Sequence, residues 1–124
     1  MLLSGDDLLT YRKLFNKASR DQKDWSILKE LLFSADLVYG RKDEGDLHGL
    51  VTYGIYAPTF TTMEAAEKFF EGKYELGTDS FRSLGLFLDE RGGTLLIDAK
   101  PGGRGIRYSN GRIDACFIGF SLLS

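Results

Sequence analysis

The sequence predicts an α+β domain in which helices pack on a mixed β-sheet, and three observations carry that expectation. Apolar residues recur at three- and four-residue steps in stretches that alternate with short extended runs. Leu95-Leu96-Ile97 has no polar interruption, as suits a central strand covered on both faces. Asn110-Gly111 supplies the positive φ angles of a type I′ turn and so closes a hairpin. One domain is expected over residues 1–124, with no repeat or linker dividing it.

The first helix is expected over residues 5–19, where Leu8, Tyr11, Phe15 and Ala18 form one stripe. Ser4 or Asp6 would cap it, and Asp6 and Asp7 suit the positive end of the helix dipole. A second helix is expected from Asp24, with Trp25, Leu28, Leu31 and Leu32 facing the core. Residues 35–40 read as a strand, 41–46 as a polar turn and 49–57 as a second strand, together a hairpin that Pro58 ends. Thr61-Thr62-Met63-Glu64 reads as a capping box opening a helix that Gly72 stops. Asp79 is the candidate cap of another helix, through Phe81, Leu84, Phe87 and Leu88 to Gly92-Gly93. A strand over 94–99 and a C-terminal hairpin over 106–120 complete the expected elements.

Composition excludes several classes. With 43% hydrophobic and 27% charged residues the chain is neither disordered nor collagen-like. One cysteine, Cys116, excludes an internal disulfide and a Cys-based zinc site, and one histidine, His48, excludes a two-His metal site. No metal or other cofactor is expected. No run approaches the length of a membrane span, and acidic Asp6 and Asp7 stand where a signal peptide would start basic, so a cytoplasmic protein is expected. The net charge of −2 argues against nucleic acid. Its layout is uneven: residues 36–98 carry 6 basic and 12 acidic groups, while 99–124 carry 4 basic and 1 acidic.

Two stretches carry a resemblance. Tyr56-Ala57-Pro58-Thr59-Phe60-Thr61-Thr62-Met63-Glu64 resembles the strand, Pro-x-Phe-Thr-Ser, helix signature of the SseB-like (enhanced serine sensitivity) family. Gly93-Thr94-Leu95-Leu96-Ile97-Asp98-Ala99-Lys100-Pro101-Gly102-Gly103 resembles that family's apolar strand and following turn, with Asp98-Ala99-Lys100-Pro101 where the family has a compact Asn-Pro turn. The likeness spans about residues 25–108, and the final hairpin has no counterpart in it. It implies a small cytoplasmic module without a known reaction, of a kind found around secretion and toxin–immunity systems, and hence a protein-binding role.

Several residue groups could carry chemistry or binding. In the loop Gly102, Gly103, Arg104, Gly105, Ile106, Arg107, glycine N–H groups and the two guanidinium forks could grip a phosphate or carboxylate; the plainer reading is a turn. The loop lacks the Gly-Lys-Ser/Thr ending of a phosphate-binding P-loop. His48, beside Asp43, Glu44 and Asp46, could act as a base or hold a weak metal, against the reading of a solvated turn. Cys116 would need His48 or a helix N-terminus to become a nucleophile, against the reading of an inert thiol. Tyr53, Tyr56, Tyr74 and Tyr108 are candidate aromatic anchors at the edge of the core.

The leading expectation is a non-enzymatic protein-interaction module, in its concrete form an immunity or secretion-associated regulatory protein. Asp43, Glu44, Asp46, Tyr53, Tyr56 and Tyr74 would meet a basic protein partner, steered by charge; a homodimer is compatible with this. The alternative is a small-anion-binding regulatory module built on Gly102, Gly103, Arg104 and Arg107. A hydrolase on His48 or Cys116 is the weakest of the three.

Overall fold

The structure, a computed structural model, describes residues 1–42 and 49–117. Helices α1 (Gly5–Phe15) and α2 (Gln22–Phe33) precede strand β1 (Asp36–Arg41). Then come β2 (Tyr56–Phe60), α3 (Met63–Phe70), β3 (Glu75–Ser80) and α4 (Phe81–Asp89). Strands β4 (Thr94–Ile97), β5 (Arg104–Ser109) and β6 (Arg112–Phe117) close the chain's described part. One mixed sheet forms in the order β3-β1-β2-β4-β5-β6, parallel between β2 and β4 and antiparallel elsewhere. The α+β class read from the sequence is therefore the observed one.

The period of two along each strand sorts the core into two layers. Leu37, Tyr39, Ala57, Leu95, Ile97 and Ile106 face α1, α2 and α4, which bring Tyr11, Leu28, Leu32, Phe81 and Leu84. Val38 and Phe60 face the other way and meet Ala66 and Phe70 of α3. Each of these large side chains, removed from water, contributes about 1.5–3 kcal/mol. α3 lies so close to β1 that a Cβ on Gly40 would come within 2.9 Å of the Phe70 ring, so only glycine fits there. As the uninterrupted run predicts, all four residues of β4 are buried.

The local signals hold where they are local. Asn110 (φ 49) and Gly111 (φ 78) make the expected turn between β5 and β6, although residues 118–120 of the expected hairpin lie outside the described ones. Glu71 (φ 52) and Gly72 (φ 74) terminate α3. Helix boundaries shift where a side chain takes up backbone groups. α1 stops at Phe15 rather than at residue 19, because the Arg20 guanidinium donates to the carbonyls of Leu14 and Phe15. α2 is capped by Asp21, with Asp24 as the third residue of a capping box, not the first of the helix. α4 is capped by Ser80, whose Oγ accepts from the Ser83 N–H at 3.1 Å, one residue beyond the expected Asp79.

Larger corrections come from tertiary pairing. The strand expected over 49–57 is absent; the strand is Tyr56–Phe60, and Tyr53 and Tyr56 exchange backbone bonds across a turn at Gly54 (φ 64). Pro58 sits inside β2 instead of ending it. In the register Val38↔Phe60, the next bonded pair would set Pro58 opposite Gly40. The Gly40 carbonyl accepts instead from the Val51 N–H at 2.8 Å, so the donor that proline lacks comes from the preceding segment. Glu75–Ser80, where no strand is expected, is an edge strand on β1. The expected capping box is not formed: Thr62, not Thr61, caps α3, its Oγ1 accepting from the N–H of Ala65 at 3.2 Å, and Ala65 has no side-chain acceptor to complete a box.

Candidate functional site

Thr61 is free of the helix cap because it serves another structure. β2 and β4 run parallel, so both end at the same edge of the sheet, where the chain leaves β2 into α3 and β4 into the loop toward β5. Ligand crevices in open α/β sheets form at the carboxyl ends of parallel strands. Here a cleft of about 690 Å³ opens at that edge, between α1 from one face of the sheet and α3 from the other.

Asp98 stands at its base. It follows β4 with φ 52, a left-handed conformation that aspartate tolerates better than most residues, and its N–H extends the ladder to the Thr59 carbonyl at 2.9 Å. Its Oδ2 accepts from the Tyr11 hydroxyl and the Thr61 hydroxyl, each at 2.7 Å, and its Oδ1 accepts from the Thr61 N–H at 3.0 Å. Tyr11 is 1% exposed and Thr61 4%. Burial, then the adjacent Asp98 charge and hydrogen bond, hold the Tyr11 phenol well above its ordinary pKa. The cluster ties α1, the end of β2 and the end of β4 into one polar node. Two of the roughly four lone-pair positions of a carboxylate lie on Oδ1, and among the described residues one of them is used.

The walls are aromatic. Phe15 comes from α1, and Phe69, from α3, meets the Tyr53 ring edge-on at a centroid distance of 6.4 Å. The rim is cationic: Arg12 from α1, Lys68 from α3, Lys73 beyond it and Lys100 from the β4–β5 loop are all exposed. Glu71 is the rim's acidic member. Among the described residues none of these four cations forms an ion pair.

The glycine-rich loop is arranged differently. Gly102 (φ 71) shapes a turn in which the Gly103 N–H donates to the Lys100 carbonyl at 2.9 Å. Arg104 and Arg107 lie three positions apart on β5 and so project from opposite faces of the sheet. Arg104 donates to the Lys17 carbonyl at 3.1 Å, beside the α1–α2 connection. Arg107 grips Asp114 on β6 through two bonds of 3.0 and 3.1 Å, which raises the guanidinium pKa further. The two arginines do not converge on a common anion.

The remaining expected residues are dispersed. Asp43, Glu44, Asp46 and His48 lie outside the described residues. Tyr53 lines the cleft, whereas Tyr74 packs edge-on against Phe70. Tyr56 covers Leu96 and Ala99 on the sheet face carrying Cys116. Tyr108 lies on the opposite face, its hydroxyl donating to Asp89 at 3.3 Å. Burial pushes the Cys116 thiol up, partly opposed by the Arg107 charge, which leaves less thiolate at neutral pH. Among the described residues no cluster of acidic, His or Cys side chains is placed to hold a metal ion, and no helix is long and apolar enough to cross a membrane.

Sequence reasoning missed Tyr11, Thr61, Asp98 and the cationic rim. The only trace was an aspartate following an uninterrupted apolar strand; its partners lie 37 and 87 positions away in the chain. Comparison of the chain with protein-family models, with curated proteins and with solved structures finds no match.

Proposed function

We propose that the protein is a non-enzymatic binding module whose working site is the cleft at the ends of β2 and β4, and that its ligand is anionic. The observation that supports this is the set of four exposed cations, Arg12, Lys68, Lys73 and Lys100, around one cleft and without an ion-pair partner among the described residues. The anion-binding role expected of the glycine-rich loop thus moves to a neighbouring place, because Arg104 and Arg107 are already engaged there. The ligand regulates, and no bond is made or broken. The lone Cys116 and the resemblance to SseB-like proteins support a cytoplasmic setting.

The test is thermal unfolding with pyrophosphate and with citrate at low ionic strength. Both anions raise the melting temperature, the shift shrinks as salt is added, and Arg12→Ala with Lys100→Ala removes it. Arg104→Ala with Arg107→Ala keeps it. No shift in the unmodified protein, or a shift lost only in the Arg104/Arg107 variant, defeats the reading.

A second reading, a protein-interaction module of SseB-like type serving immunity or secretion, draws on the opposite charge. Residues 36–98 carry twice as many acidic as basic groups, and Glu64 and Glu67 on α3 are exposed without an ion-pair partner among the described residues. A basic protein would meet that surface, and its association rate would fall steeply with salt.

A further inference from the structure

We infer that the cleft ligand is a nucleoside phosphate; the inference rests on the anionic-ligand reading above and names the chemistry of the same site. Three features must be met by one molecule. The cationic rim calls for a phosphate-like anion, which Arg12 would fork and Lys68 and Lys100 would neutralise. The walls, Phe15 on one side and Phe69 with Tyr53 on the other, call for a flat apolar body that stacks on or slots between rings. The remaining lone pair of Asp98 Oδ1 calls for a hydroxyl or amino donor, since an ionised carboxylate only accepts.

A bare inorganic anion meets the first demand and leaves the aromatic walls and Asp98 unused. A sugar phosphate meets the first and third. Adding a base ring to it satisfies all three, with ribose hydroxyls or an exocyclic amine reaching Asp98. A volume of about 690 Å³ lies within the usual range for small-molecule sites, about 300–1,000 Å³, and exceeds what an inorganic anion fills. Asp98 also explains why the anionic group belongs at the rim. Its own charge at the base repels a phosphate placed there, so the ligand has one orientation, phosphate outward and donor inward.

Isothermal titration calorimetry on the full chain with the 5′-monophosphates of adenosine, guanosine, cytidine and uridine, with ribose 5-phosphate and with pyrophosphate tests the assignment. At least one nucleotide binds about tenfold or more tightly than ribose 5-phosphate, the increment that base–aromatic stacking supplies. Phe69→Leu removes that increment while pyrophosphate binding stays within twofold. If circular dichroism shows that Phe69→Leu has not folded, the nucleotide-to-ribose-phosphate ratio in the unmodified protein decides alone. Ribose 5-phosphate equalling every nucleotide, with pyrophosphate still bound, overturns this inference and leaves the anionic site standing. Absence of binding by every anion overturns both.

Discussion

Two basic regions of this molecule, the cleft rim and the glycine-rich loop, look alike in composition and differ in what their charges are already doing. Arg107 donates to Asp114 and Arg104 to the Lys17 carbonyl, so both arginines already have partners within the fold. Arg12, Lys68, Lys73 and Lys100 hold nothing among the described residues. The loop has the more suggestive sequence, glycines flanked by arginines, and the less available charge. Arg104 commits one of its five N–H donors to the fold and Arg107 two of its five, whereas a cation left exposed beside a cleft keeps all of them for a ligand.

The sharpest way to test that contrast is to remove the centre of each region. Asp98→Ala leaves two buried hydroxyls, Tyr11 and Thr61, without their acceptor. The cost expected is about 3 kcal/mol of stability, read from urea unfolding, because stranded buried donors lose their full desolvation energy. An Asp98→Ala variant as stable as the parent would mean that the node is not a structural anchor of the cleft.

How much of this could be read from the chain follows from distance along it. The Asn110-Gly111 turn, the Glu71-Gly72 helix stop and the apolar run of β4 are signals carried by two to four adjacent residues, and each emerged in place. β3 was not legible: Glu-Leu-Gly-Thr-Asp-Ser has little strand propensity, and it is held as a strand by its register against β1. Pro58 misled because its missing donor is made good by Val51, a substitution no local rule foresees. Thr61 misled because Thr61-Thr62 offers two hydroxyls for one cap, and the choice is made by Asp98, 37 residues away. The cleft exists only because β2 and β4 lie side by side and parallel, a pairing fixed by the intervening α3–β3–α4 segment rather than by either strand's sequence.

The next effect in size separates the two regions by pH. The folded state holds the Tyr11 proton well above the ordinary value of 10.0, whereas the unfolded chain releases it near that value. The folded pKa is the higher one, so the stability linked to it is complete below about pH 10 and is lost as pH rises from there toward the folded pKa. Stability therefore falls in alkali, and Tyr11→Phe flattens the fall, measured as urea midpoints between neutral pH and strong alkali. Raised pKa values at Tyr53 and Tyr108 leave a smaller residual slope in that variant. An unchanged slope would show that burial and Asp98 together do not hold the Tyr11 proton above its ordinary pKa.

The smallest effect expected is at the loop, and its smallness is informative. Arg107–Asp114 is a forked pair between neighbouring strands, with side chains 46% and 36% exposed. Water and salt screen a pair so placed, so a double-mutant cycle over Arg107→Ala and Asp114→Ala returns a coupling below about 1 kcal/mol that weakens further in salt. That energy is small beside the cost of removing Asp98, yet it suffices to withdraw Arg107 from ligand binding: an anion arriving at the strand must first displace a carboxylate tethered alongside. Freeing the arginine by Asp114→Asn leaves an exposed guanidinium whose cationic neighbour on that face is Arg112, opposite Ser109 on β6, since Arg104 points the other way. Pyrophosphate affinity at the hairpin therefore rises in Asp114→Asn by no more than about fivefold, the worth of the pair, and no gain at all would show that geometry, not pairing, keeps the loop silent.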